Sequence, residues 1–234
     1  FDGQLLDFMG IPLPQYRGGA HYSWAILRGD RDWACNLQII NADMVQGVFD
    51  SGALVKTRCY RFPDSVRIPQ DFFDVAVPQE VAFIQEFLSE VLVGREFDLT
   101  PPDEAQSLFF PRLNTMAQGW INWAWLGREI ERFICAFDEP YAGTSTLVDG
   151  RRVHLKDASF SPSPRPLHPF QAGLITRISA SEGLVTLCAD GLLRIGRVED
   201  GGISCLEQLR CGQRLFTPAV LLEQAAQYQA HYGS

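Results

Sequence analysis

Few residues near the start of this chain are able to do chemistry. Asp7, Arg17 and His21 lie within "LLDFMGIPLPQYRGGAHYSWAIL", and Asp50 follows in "FDSGAL". A carboxylate beside a glycine at a strand edge could orient an amine or a catalytic imidazole, and the same residue could be an Asx-type turn. His21 could act as a general base or cap the helix that it begins. Asp7 could be an acid or a cap. Arg17 could hold a carboxylate or phosphate, or satisfy loop carbonyls. His154 and His168 have no carboxylate or cysteine at ligand spacing and read as structural. The chain contains no P-loop, no Gly-x-Ser-x-Gly elbow, no metalloprotease helix motif and no Rossmann glycine fingerprint.

These residues need elements to position them. Gly10, Pro12, Pro14, Gly18 and Gly19 make residues 7–20 read as a loop. A short helix is expected over Ala20–Leu27. Strands are expected in "ACNLQII" and "ALVKTRCYRF", joined by the polar segment "NADMVQGVFDSG" as a hairpin-like arm or as sheet neighbours. Val77–Val93 reads as an amphipathic helix with Ile84, Phe87, Leu88 and Val91 on one face, Pro78 near its start and Gly94 after its end. Residues 95–119 read as irregular. Trp125–Phe137 reads as a second helix, with Ile130, Phe133, Ile134 and Phe137 inward. Asp149-Gly150 marks a hairpin within "TSTLVDGRRVHL". Residues 159–171 are proline-rich and read as a linker. Beyond them, short β-rich runs around Asp190-Gly191 suggest a small β-barrel or sheet. The tail "TPAVLLEQAAQYQA" reads as a helix capped by Thr217.

The 234 residues are 46% hydrophobic, ample for a sizeable core. The formal charge of -8 argues against a global attraction to nucleic acid or to an anionic membrane. No signal peptide and no apolar run of membrane length is seen. The six cysteines form no C-x-x-C pair, so no metal site is expected; they read as small core residues in a reducing cytoplasm.

"DFMGIPLPQYRGGAHYSWAILRGD" resembles the signature of the folate-dependent formyltransferases, which include methionyl-tRNA formyltransferase and sugar N-formyltransferases. Leu13, Pro14, Tyr16, Arg17 and Gly18 match its Leu-Pro-x-Tyr-Arg-Gly loop. "FDSGALV" is similar to the strand bearing the family's catalytic aspartate, and residues 120–158 and 172–216 resemble later parts of the same family. The resemblance implies an α/β fold: part of a formyltransferase-like Rossmann-type domain over 1–158, a linker over 159–171, and a β-barrel-like (OB-like) domain over 172–234. It places the family's catalytic aspartate on Asp50 and implies Pro14, Tyr16, Arg17 and Gly18 as candidate substrate- or cofactor-binding residues; Asp7, at the position of the family's asparagine, and His21, which does not sit at a family position, are the other candidate catalytic residues. Formyl-tetrahydrofolate would be the formyl donor. The expected acceptor is a small-molecule amine rather than tRNA, and a homodimer is an open arrangement. Two departures accompany the match. The family's asparagine and histidine fall at Asp7 and Met9, and only six residues precede Asp7 where the family has a Rossmann-like half. An alternative is therefore a catalytically degenerate binding or assembly module.

Overall fold

The structure, a computed structural model, describes residues 4–42, 50–165 and 167–230. Most of the polar connection read at 41–52, the Phe49 of "FDSGAL", the opening tripeptide and Pro166 of the linker lie outside the described residues. Contacts divide the chain into two compact units. The first draws on residues 1–21, 30–67 and 71–112, and the second on 22–29, 68–70 and 113–234. This differs from the expected division at 159–171, because the strand entering that segment shares one sheet with the residues beyond it.

The first unit is built on the antiparallel sheet β1 (Leu6–Met9), β3 (Asp32–Ile39) and β4 (Leu54–Arg61), in the order β1-β3-β4. Its other strand pair is parallel, β2 (Arg17–Gly18) on β5 (Phe109–Phe110). Leu6–Met9 is thus a strand, where the sequence suggests that the loop begins at Asp7. Its register places Asp7 opposite Gln38 and Met9 opposite Asn36. Cross-strand partners have adjacent side chains, so the register brings Asp7 to Gln38. An irregularity between Leu37 and Gln38 in the β3–β4 pairing lies at the same point; bulges re-aim the side chains beside them.

Helix α1 (His21–Arg28) begins with the last residue of the first unit's opening segment and continues in the second. Helix α2 (Pro69–Leu92) starts well before Val77, so Pro78 lies inside it rather than near its start, where it removes one helix hydrogen bond. The face turned to the core carries Phe72, Ala76, Phe83 and Phe87. Leu88 and Val91, expected on that face, are exposed. Phe83 and Phe87 pack with Cys35 and Leu37 of β3. A run of ring contacts links Phe110, Tyr16, Trp33, Phe62 and Phe72, with centroids between 4.3 and 5.7 Å apart. Tilted pairs of this kind add about 0.5–1.5 kcal/mol each beyond their buried area, and they fix the loop bearing Tyr16 against β3.

The second unit holds α3 (Thr115–Gln118), α4 (Gly127–Ala136), α5 (Ala219–Gln227) and a curled antiparallel sheet of seven strands. These are β6 (Thr144–Val148), β7 (Arg151–Pro162), β8 (Ile175–Ser179), β9 (Gly183–Leu187), β10 (Gly191–Asp200), β11 (Ile203–Ser204) and β12 (Leu215–Phe216). The order is β12-β6-β7-β10-β9-β8, with β11 on β10. Asp149 and Gly150 both have positive φ, 49° and 80°, as a two-residue turn between β6 and β7 requires. β7 runs into the proline-rich segment as far as Pro162 before regular pairing stops. Ile130 and Ile134 of α4 are fully buried, as are Val153, Leu155 and Ala158 of β7. A Cβ on Gly127 would sit 2.1 Å from the Phe160 ring, so glycine lets the helix begin there. Thr217 does not cap α5; its hydroxyl meets that of Thr146 at 3.4 Å instead.

Candidate functional site

Gly18 organises the polar centre of the first unit. Arg17 N–H donates to Leu108 O at 3.0 Å and Gly19 N–H to Phe110 O at 2.8 Å. This pairing leaves the Gly18 N–H to the Asp50 carboxylate, and the Gly18 carbonyl accepts from the His21 imidazole. The φ of Gly18 is +104°, and a Cβ there would lie 2.0 Å from Phe110 O. Only glycine fits, for both conformation and space.

Asp50 is 8% exposed and takes a positive φ of 56°, which aspartate tolerates better than most residues. Burial pushes its carboxyl above the usual range, and the charge of nearby Asp7 pushes the same way. The Gly18 N–H, the Gln38 amide and the Arg17 charge oppose the rise. Gln38 is fully buried and donates from Nε2 to Asp7 Oδ2 at 3.3 Å, so one amide serves both carboxylates. Its Oε1 is buried without a partner among the described residues. Burial lowers the His21 pKa, against the hydrogen bond to Gly18. His21 Nε2 is buried and unpartnered among the described residues, so the nitrogen facing Gly18 is Nδ1 and Nε2 keeps its lone pair.

The matched loop is mostly spent on its own structure. Arg17 forks onto Glu104, Nη1 to Oε2 at 2.7 Å and Nη2 to Oε1 at 2.8 Å, with Ser107 Oγ at 3.0 Å. Only its Nε is left buried and unpaired among the described residues. The Arg17 hydrogen bonds hold the Glu104 carboxyl below its ordinary value. Tyr16 donates to Asp30 at 2.5 Å from between Trp33 and Phe110. Pro14 is buried, and its carbonyl accepts from Leu108 N–H at 3.3 Å. Trp33 Nε1 donates to Gly10 O at 2.8 Å, and Asn36 Nδ2 donates to Ile11 O. Tyr16, Arg17 and Pro14 therefore tie the loop to its neighbours in the chain.

The structure brings together Asp7, Asp50, Gly18 and His21. It adds Gln38, which sequence reasoning missed. The available signal was Asn36 and Gln38, two amides on one face of an otherwise apolar strand. Of the six cysteines, Cys35, Cys135, Cys188 and Cys205 are buried as expected, whereas Cys59 and Cys211 are exposed. Burial raises the thiols of Cys35 to about 11 and Cys188 to about 12, which leaves them unreactive. Among the described residues no helix is long and apolar enough to cross a membrane.

Residues 114–210 match the family model "Formyl transferase, C-terminal domain". A methionyl-tRNA formyltransferase of Roseiflexus castenholzii is 25% identical over 193 residues, covering 81% of this chain and 56% of the relative. The chain thus spans about half the length of the curated relatives it matches. Among solved structures, an N-formyltransferase from Helicobacter canadensis, in complex with folinic acid and dTDP-3-aminofucose, superposes with a TM-score of 0.62 at 13% identity. That match covers 83% of this chain and 66% of the other. HypX from Aquifex aeolicus in complex with tetrahydrofolic acid gives 0.54 at 18% identity, over 83% of this chain and 32% of the other. Residues 114–210 carry the formyltransferase C-terminal domain, and the chain is a relative of the folate-dependent formyltransferases.

Proposed function

We propose that this protein transfers a formyl group from a formylated tetrahydrofolate to the amine of a small molecule. The observation that favours this most is the set of unspent polar atoms beside Asp50: Gln38 Oε1, His21 Nε2 and Arg17 Nε, all buried. Buried polar atoms in a folded protein are normally paired, and exceptions call for a functional reason. A donor, two acceptors and a carboxylate suit the reacting end of such a formyl donor, where an amine must lose a proton and an oxygen must be held. The bound donor would supply the electrophilic formyl carbon. Asp50 and Asp7 would then handle protons, Gly18 and Gln38 would orient Asp50, and His21 would offer an acceptor nitrogen at the same glycine. The net charge of -8 favours a sugar nucleotide, amino acid or similar amine over tRNA, and the free cysteines suit the cytoplasm.

The test is incubation of the full chain with formyl-tetrahydrofolate and a panel of amines, followed by mass spectrometry of the acceptors. Formylated product in one or more reactions supports the reading, and no product together with no folate binding overturns it. A second reading is a folate-free binding module. It is favoured by Met9 on β1, at the position where the resemblance implies an imidazole, since a thioether carries no proton.

A further inference from the structure

Helix α2 buries one face and turns a second apolar face to solvent. Phe72, Ala76, Phe83 and Phe87 point inward. On the other side Val77, Val81, Leu88, Val91 and Leu92 are between 48% and 87% exposed, with Phe73 at 40% beside them and Ile84 half-buried among them. Val77, Val81, Ile84, Leu88 and Val91 follow one another by alternating steps of four and three residues. That spacing, 3.5 residues on average, is the seam of a helix pair. A single exposed valine needs no explanation, but a continuous stripe does. Its six most exposed side chains present roughly 600 Å² of surface, the upper limit for the largest patch on a typical monomer.

The charges around the stripe indicate what covers it. A helix that lies on an anionic membrane carries lysine or arginine on its polar face, whereas α2 contains neither and has Asp71, Asp74, Glu80, Glu86 and Glu90. Glu86 and Glu90 are drawn away from the stripe toward β4. Lys56 Nζ meets Glu86 Oε1 at 2.7 Å and Glu90 Oε2 at 2.5 Å, and Arg58 pairs with Glu86. Asp74 and Arg95 continue the seam itself, seven residues before Val81 and seven after Leu88. Asp74 is exposed, and Arg95, which pairs with Glu90 and lies over the Phe97 ring, keeps its side chain 60% exposed. The stripe thus ends in an anion on one side and a cation on the other. Parallel pairing of two such helices would set like charges together, and antiparallel pairing joins Asp74 to Arg95 at both ends.

We propose that the outer face of α2 is the seam of a homodimer, in which the α2 helices of two copies pair antiparallel around a twofold axis. The inference does not depend on the formyl-transfer reading. The axis passes between Val81 and Ile84. Val81 then packs beside Ile84 of the second copy, and Val77 beside Leu88 of the second copy. A groove of about 320 Å³ between β1 and α2, lined by Phe8, Glu80, Val81, Ile84 and Gln85, extends the face toward β1. The interface is isologous, so one stripe that complements itself suffices to close it. Two such stripes bury roughly 1,200 Å² in all, where stable interfaces begin.

The test is analytical ultracentrifugation of the full chain over a range of concentrations, with circular dichroism to verify folding. The wild type should show a reversible monomer–dimer equilibrium. Val81→Glu combined with Leu88→Glu places charges at the centre of the seam and should weaken association about 100-fold or more. Both side chains face solvent in a single copy, so the monomer should stay folded. If that variant does not fold, the charged ends decide. Asp74→Arg alone sets cation against cation and should weaken the dimer several-fold, and adding Arg95→Asp should restore it. Restoration supports the antiparallel seam. A wild type that is monomeric at every concentration overturns the proposal, including one whose α2 face is taken up by lipid vesicles or by a different protein. A dimer that neither the paired glutamates nor Asp74→Arg weakens overturns it as well.

Discussion

Two buried aspartates, one in each unit, contrast a carboxylate saturated with donors and the one proposed to be catalytic. Asp138, in the second unit, is 1% exposed and is saturated with donors. It accepts the backbone N–H groups of Glu139 and Asp157, each at 2.7 Å, and Arg197 Nη2 at 3.0 Å. Asp50, in the first unit, is almost as buried, yet it faces a second carboxylate and shares its amide donor. One group ties strands together. The other is held in a state that folding alone would not select, which is the pattern of sites where stability is exchanged for reactivity.

Asp50→Asn gives the largest separation of the two. It should lower formyl transfer by about 100- to 10,000-fold, read as kcat with the folded state verified by circular dichroism. Stability should move the other way. The folded-state pKa of Asp50 is raised above 3.8, so its contribution to stability is fully present below that value and is lost as pH rises through the folded pKa. Asp50→Asn should therefore match the wild type in denaturant midpoint at low pH and exceed it as pH rises. A variant that unfolds more easily at neutral pH would place Asp50 with Asp138.

Asp138→Ala should do the opposite. It leaves two backbone donors and Arg197 Nη2 without their acceptor, at about 3 kcal/mol, visible as a lower urea midpoint. Gly18→Ala comes next, at about 2–3 kcal/mol, since its Cβ would strike Phe110 O and its φ is left-handed. It should also weaken transfer, because Gly18 holds both Asp50 and His21. The smallest effect is expected from Glu104→Gln. The Arg17–Glu104 pair has one exposed partner, so stability should fall by about 1 kcal/mol or less, with turnover nearly unchanged. A large loss of turnover would support a direct role of Arg17 in binding.

Some of this was legible in the sequence and some was not, for definable reasons. Asp7, His21 and Asp50 stand out as ionisable groups in glycine-containing stretches; in the fold Asp50 and His21 both bond to Gly18, and Asp7 bonds to Gln38. Residues 172–216 read correctly as short antiparallel strands because their turn residues are local. Tyr16 and Arg17 stand out through the family loop that they match, but their partners within the chain, Asp30 and Glu104, are not legible from the local sequence. Glu104 lies 87 residues after Arg17, and no local pattern announces the pairing. Leu6–Met9 reads as loop because prolines and glycines follow at once, yet pairing with β3 makes it a strand. Leu88 and Val91 fit a helical face equally well; which apolar stripe is buried depended on where β3 lies. Gln38 was the costliest omission, since an amide in a strand attracts no notice until its register is known.

The most direct measurement is single-turnover formyl transfer by the folded wild-type chain and by folded Asp50→Asn, with formyl-tetrahydrofolate as donor and a sugar-nucleotide amine as one acceptor of the panel. Product from the wild type and almost none from Asp50→Asn is the expected result. Equal product from both proteins, or none from the wild type with any acceptor, would contradict the assignment of a formyl-transfer site at Asp50.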